Sequence, residues 1–278
     1  MASLPHLHLR SIELTPWPER LDGRFPFNVP LMRGLGKIEF LAPVSILVGE
    51  NGTGKSTLIE VLACASGVVS IGTDQVQRDP TLKNIRELAQ YVRLVWTKRT
   101  RRGFFLRAED FFGYARRMAS VRQELEVDLR AAEEESKGRS LLAQEMATMP
   151  YKTELGDMRR RYGEGLDNQS HGESFLLFFQ QRFVPGGLYL LDEPEAPLSP
   201  VRQMALLAML HSMVSEQAQF IISTHSPILM AYPGAAIYNL DDAMVRQVAY
   251  DDLEHVRLTR EFLNDPGLFL RQLGLSDE

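Results

Sequence analysis

The 278-residue sequence holds one cysteine, Cys64, has no basic surplus and contains no long apolar run. A lone cysteine excludes an intrachain disulfide scaffold and fits a reducing compartment. The most apolar neighbourhood, residues 219–240, is broken by Ser223, His225, Ser226 and two prolines. It falls short of the roughly 18 apolar residues that suggest a membrane span. The start, MASLPHLHLR, has no basic segment followed by an apolar stretch, so no signal peptide is expected. A net charge of −5 lacks the basic excess of a dedicated nucleic-acid binder. With 44% hydrophobic and 24% charged residues, disorder is excluded as the dominant state. At about 150 residues per domain, one large or two small domains are expected. The composition fits a cytoplasmic protein without membrane contact and says nothing of its task.

The patterning alternates. Residues 7–14 read as a strand, and a proline-rich stretch follows. Residues 44–48 (VSILV) form a short buried strand, and 55–66 carry helical spacing, with Cys64 as a small core residue. Residues 91–97 and 104–108 read as two strands joined by the basic loop KRTRRG. From Glu109 to about Arg161 the sequence turns helical and charge-rich, without sustained heptads. Buried patterns then return: FLLFF at 175–179, the strand 188–191, an amphipathic helix at 201–214 and strands at 219–223 and 236–240. That helix places Val201, Met204, Ala205, Leu207 and Ala208 on its inner side, with Met204, Met209 and Met213 as core filler. Strand–helix alternation at both ends argues for a mainly parallel sheet with a helical insertion.

Residues 49–56 (GENGTGKS) match G-x-x-x-x-G-K-[ST] between a strand and a helix. Such a match arises by chance in about one chain in a hundred of this size. Glycines let the backbone curl until amide hydrogens point at phosphate oxygens, and the following helix adds its positive end. Asn51, Gly52, Thr53, Gly54, Lys55, Ser56 and Thr57 are therefore candidate phosphate-binding residues. Lys55 would reach the outer phosphates, and the Ser56 hydroxyl would hold Mg²⁺. The strand LYLL ends in Asp192 and Glu193, where a parallel sheet places ligands. Asp192 suits Mg²⁺, and Glu193 can take a proton from water. The next strand ends in Thr224-His225-Ser226-Pro227, which brings His225 to the same edge. His6 and His8 share a strand face and are weak evidence for a metal.

GENGTGKST, LYLLDEPE and STHSP together resemble the ABC-type ATPases, closest to the soluble RecF- and SMC-like branch. QSHGESFL, LDEPEAPLSP and QFIISTHSPILMAYPGA resemble small stand-alone bacterial ATPases of the AAA family. The likeness covers about residues 33–270. It implies an α/β P-loop NTPase of ABC type: a mainly parallel sheet with flanking helices, N-terminal antiparallel β elements and a helical insertion. The implied division is residues 1–108 and 170–278 for the ATPase lobe and 109–169 for the insertion. The resemblance makes residues 49–57 the Walker A loop, Asp192 the Walker B aspartate, Glu193 the general base and His225 the switch histidine. Ser170, Gly172 and Glu173 fall in the signature segment, which in ABC proteins contacts ATP held by a second subunit. Without the resemblance, Ser170 and Glu173 read only as a helix capping box. Two positions depart from the transporter pattern: His171 replaces a glycine, and Ser199 an aspartate. Glu109 is the candidate for the Q-loop position and a third metal ligand beside Ser56 and Asp192, with Gln90 and Thr97 as alternatives. Phe25, Phe27 and Phe40 are the candidates for stacking on adenine.

The resulting expectation is a Mg²⁺-dependent ATPase that forms an ATP-dependent head-to-tail homodimer and acts as a switch on DNA or a protein partner. A P-loop kinase acting on a small molecule is the alternative. Lys98, Arg99, Arg101 and Arg102, with Phe104 and Phe105, form the best basic–aromatic patch for nucleic acid.

Overall fold

The computed structural model describes residues 7–71, 80–162, 171–241 and 244–275. Along them run strands β1 (Leu9–Leu14), β2 (Lys37–Glu39), β3 (Val44–Val48), β4 (Val69–Ser70), β5 (Val92–Trp96), β6 (Gly103–Arg107), β7 (Leu188–Asp192), β8 (Gln219–Ser223), β9 (Ala236–Asn239) and β10 (Arg246–Val248). The helices are α1 (Pro30–Gly34), α2 (Lys55–Ser66), α3 (Lys83–Ala89), α4 (Ala108–Ser136), α5 (Leu141–Tyr162), α6 (His171–Arg182), α7 (Pro200–Ser215), α8 (Pro227–Met230), α9 (Glu254–Asn264) and α10 (Pro266–Gln272).

The uninterrupted apolar runs become the middle of a sheet ordered β10-β9-β3-β8-β7-β6-β4. Its strands are parallel except β10, which runs antiparallel to β9. β3, β7 and β8 are buried along their whole length, as strands covered on both faces must be. A second, antiparallel sheet has the order β2-β1-β5. This is the α/β P-loop architecture of ABC type, with antiparallel β elements near the N-terminus.

Alternate residues of the central strands feed two cores. Leu47, Phe105, Leu190 and Ile221 pack with Leu58, Ile59 and Leu62 of α2 and with Leu9 and Ile12 of β1. Ile46, Phe104, Tyr189, Leu191, Phe220 and Ile222 pack instead with Phe175, Phe178 and Phe179 of α6 and with Leu206 and Leu210 of α7. Each fully buried side chain of this size contributes about 1.5–3 kcal/mol. The two sheets are joined by a buried amide: Gln219 Oε1 accepts from His8 N (2.9 Å) and Leu9 N (2.8 Å), while Nε2 donates to Leu9 O (2.9 Å). His8 itself is buried, its ring nitrogens facing the carbonyls of Lys98 and Gln217 rather than a metal. His6 lies outside the described residues.

Two sequence expectations change. The strands expected at 91–97 and 104–108 are present as β5 and β6, in different sheets: β5 alternates in exposure, whereas β6 is buried on both faces. For the same reason Phe104 and Phe105 lie in the two cores and cannot stack on bases; the aromatic half of the basic patch is withdrawn. Helix α7 is turned the other way from its expected face. Val201 is 70% and Met204 54% exposed, and Ala205 and Ala208 are also exposed, whereas Leu206 and Leu210 are buried. Leu207, Met209 and Met213 flank that inner face, so only Met204 fails as core filler. Two apolar stripes of equal period share this helix, and the one carrying the larger leucines faces the sheet.

Candidate nucleotide site

The phosphate loop leaves β3 at the carboxyl edge of the sheet and enters α2 at Lys55. Gly54 caps that helix at φ 103°, in the left-handed region, and a Cβ there would stand 2.8 Å from Val29 Cγ1. Only glycine meets both demands. Lys55 is buried, and its Nζ donates to the carbonyls of Gly49 (2.6 Å) and Glu50 (2.7 Å). Burial pushes the Lys55 ammonium below the usual lysine range, and the carboxylates of Glu193 and Asp192 oppose this. Thr53 Oγ1 donates to Glu50 O at 3.0 Å and closes the turn. Thr57 is buried, whereas Asn51, Gly52 and Ser56 are exposed on the loop.

A cleft of about 250 Å³ lies over this loop, lined also by Phe25, Val29 and Glu193. Of the three aromatic candidates, Phe25 is 49% exposed and lines the cleft, while Phe27 and Phe40 are buried in the core. A larger groove of about 830 Å³ lies between α4 and α5, lined in part by Met118, Met146, Met149 and Met158. No residue of the phosphate loop borders it.

Strand register brings the acidic and histidine ends together, because Asp192 of β7 pairs with Ser223 of β8. Asp192 is 7% exposed, and its Oδ1 is buried without a hydrogen-bond partner. Burial pushes its carboxyl up to about 6, against the pull of the Ser56 and Ser223 hydroxyls. A buried carboxylate oxygen without a partner, next to a serine hydroxyl, fits a hard divalent cation that also takes phosphate and water oxygens. Glu193 adopts φ 50°, uncommon for a residue with a side chain. Its amide donates to Ser223 O at 2.9 Å, and its Oε1 stands 3.9 Å from His225 Nε2. Burial, and then the Lys55 charge, push the His225 imidazole below the usual histidine range, and the carboxylates of Glu193 and Asp192 oppose this.

Glu109 follows β6, the neighbour of the Asp192 strand, but its carboxylate is 77% exposed and 3.7 Å from Arg107 Nε. It is turned to solvent, unlike the buried Asp192. Gln90 and Thr97 flank β5 of the antiparallel sheet. In the signature segment, Ser170 lies outside the described residues. Gly172 and Glu173 open α6, where Glu173 accepts from Arg202 Nη2 at 2.8 Å, and a Cβ on Gly172 would stand 2.9 Å from Pro197 O. Neither residue lines the cleft over the phosphate loop.

Sequence reasoning missed several partners. Glu195 Oε1 accepts from His225 N at 2.7 Å and fixes the strand end on which the histidine stands. Asp241 Oδ1 accepts from Glu50 N at 2.6 Å. Arg107 forks onto Asp110 (Nε–Oδ2 2.7 Å, Nη2–Oδ1 3.1 Å) and reaches Glu60 of α2 (3.0 Å). Burial raises the Glu60 carboxyl, and Arg107 draws it back. The EPE following Asp192 was a visible signal for Glu195; the other partners are distant in sequence.

The fold and the loop define a P-loop nucleotide-binding protein. The model of an AAA domain family matches residues 30–183, more than half of the chain, and the chain belongs to that family of ATPases, which bind and hydrolyse ATP. A second model, described as an AAA domain, putative AbiEii toxin, Type IV TA system, matches residues 174–231. The cobalt import ATP-binding protein CbiO of Salmonella typhimurium is 25% identical over 250 residues, 85% of this chain and 84% of that protein. The macrolide export ATP-binding/permease protein MacB of Shigella flexneri is 28% identical over 240 residues, 84% of this chain but only 34% of that protein. An Smc head domain from Pyrococcus furiosus superposes with a TM-score of 0.44 at 11% identity, over 92% of this chain and 99% of that one. Among the described residues, no helix is long and apolar enough to cross a membrane.

Proposed function

We propose that this chain is a stand-alone ABC-type ATPase of the RecF- and SMC-like kind. In this reading it closes head to tail around ATP and passes the closed state to DNA or a protein partner. The observation that carries the reading is the convergence of Lys55, Asp192, Glu193 and His225 at one edge of three adjacent parallel strands. Residues 51–57 cradle the phosphates with backbone amides and the α2 N-terminus, and Lys55 leaves its own loop carbonyls for the outer phosphates. Ser56 and Asp192 would hold Mg²⁺, which would supply positive charge to offset that of the transferring phosphoryl group. Glu193 orients water and takes its proton. His225 donates a hydrogen bond to the γ-phosphate. Ser170, Gly172 and Glu173 serve the ATP held by the second copy; Gly172 and Glu173 lie outside this chain's own cleft. The chain then divides into the lobe 1–108 with 170–278, and the arm 109–169.

A Glu193→Gln variant, slow to hydrolyse, should elute as an ATP-dependent dimer in size-exclusion chromatography. A variant that stays monomeric at saturating ATP sinks the composite site. Phosphate release with water as the acceptor separates this reading from a P-loop kinase. The exposed loop residues Lys98, Arg99, Arg101 and Arg102 are the proposed DNA contact. DNA binding by the trapped dimer should weaken with salt and disappear with their replacement by alanine; salt-independent or absent binding sinks the DNA reading and leaves the protein partner.

A further inference from the structure

β9 lies next to β3, with Asn239 opposite Val48, so both chains leave the sheet side by side. Leu240 N donates to Val48 O at 3.0 Å and continues the pairing past the strand ends. Asn239 Oδ1 accepts from Asp241 N at 2.9 Å, and this side-chain turn aims the Asp241 carboxylate across at the start of the phosphate loop. There Oδ1 meets Glu50 N at 2.6 Å. The approach is close enough that a Cβ on Gly49 would stand 2.8 Å from the same oxygen.

The peptide unit held in this way is the one whose carbonyl, on Gly49, accepts Lys55 Nζ at 2.6 Å. Carboxylate, peptide and ammonium thus form one chain of hydrogen bonds. Each bond polarises the next, since the carboxylate draws on the N–H and leaves the carbonyl oxygen more negative. The charge of Asp241 also favours the protonated form of Lys55, against its burial.

We propose that Asp241 is a positioning residue for the phosphate loop: through the Gly49–Glu50 peptide it sets the loop entrance and the resting place of Lys55 before nucleotide arrives. This rests on the reading of residues 49–57 as the ATP phosphate loop. Asp241 touches no phosphate in this scheme. It fixes the orientation of one peptide that would otherwise rotate, and so removes an ordering cost from binding.

The test compares Asp241→Ala, Asp241→Asn and Lys55→Ala with the wild type. It uses equilibrium binding of ATP and of inorganic triphosphate, steady-state hydrolysis, and thermal unfolding. Asp241→Ala should bind both ligands about ten-fold more weakly, the loss of one charge-assisted hydrogen bond, with KM rising more than kcat falls. Asparagine keeps the acceptor oxygen and should recover binding to within about three-fold. The melting temperature should barely move in either variant, because Asp241 is exposed. Binding by the alanine variant within two-fold of wild type, or an asparagine variant as weak as alanine, overturns the proposal. If Lys55→Ala binds ATP as well as the wild type does, the phosphate-loop reading fails, and the proposal fails with it.

Discussion

Replacing Asp192 by asparagine should stabilise the nucleotide-free protein, and by an amount that depends on pH. The carboxyl is 7% exposed, one of its oxygens has no partner, and burial lifts it from 3.8 to about 6. A raised carboxyl favours the folded state fully below the unfolded value, and this contribution is lost as pH climbs through the folded one. Relative to strongly acid pH, the raised carboxyl therefore lowers the stability of the fold by about 3 kcal/mol at pH 7.5 and by about 1 kcal/mol at pH 4.5. Asparagine has nearly the same shape and carries no charge at either pH. Urea denaturation of both proteins without nucleotide or Mg²⁺ should show Asp192→Asn gaining about 2 kcal/mol on the wild type between pH 4.5 and 7.5. Any constant penalty from altered contacts to Ser56 and Ser223 cancels in that difference. A gap that stays flat with pH, or one that favours the wild type more at pH 7.5, would refute the reasoning. In the proposed reading, in which this unpaired oxygen takes the cation, the variant should also lose ATP hydrolysis.

Gln219→Leu should cost about 3 kcal/mol in urea denaturation, because the buried His8 and Leu9 amides and the Leu9 carbonyl all lose their partner. A loss under about 1 kcal/mol would mean that β1 finds other partners. Phe25→Ala should weaken ATP by up to about ten-fold while leaving inorganic triphosphate unaffected, if the exposed ring covers the base. An equal loss for both ligands would move Phe25 from the base to the shaping of the loop.

The phosphate loop and the two strand ends were legible because their chemistry is local. Glycines at fixed spacing before a helix, and carboxylates or histidine straight after an apolar run, carry their geometry with them. Helix α7 was misread because Val201, Met204, Ala205 and Ala208 keep helical period as well as Leu206 and Leu210 do, and period cannot say which stripe the sheet covers. Phe104 and Phe105 misled because neighbouring residues on an ordinary strand point to opposite sides, one of which is often solvent. A central parallel strand has no solvent side. Asp241, Gln219 and Arg107 act on partners set beside them only by strand order, and no spacing rule reaches across that distance.

The Arg107 fork gives the helical arm a mechanical character. α4 has 29 residues, hence a length of about 43 Å, and its first turn is clamped through Asp110 to the guanidinium that also grips Glu60 of the phosphate-loop helix. Clamped at its first turn to the helix of the phosphate loop and packed against α5, such a helix would work as a pointer. A rotation of about 5° at that joint sweeps the far end of a rod this long through about 4 Å. Displacements too small to resolve around the phosphates would become, at the tip of α4, the size of a side chain.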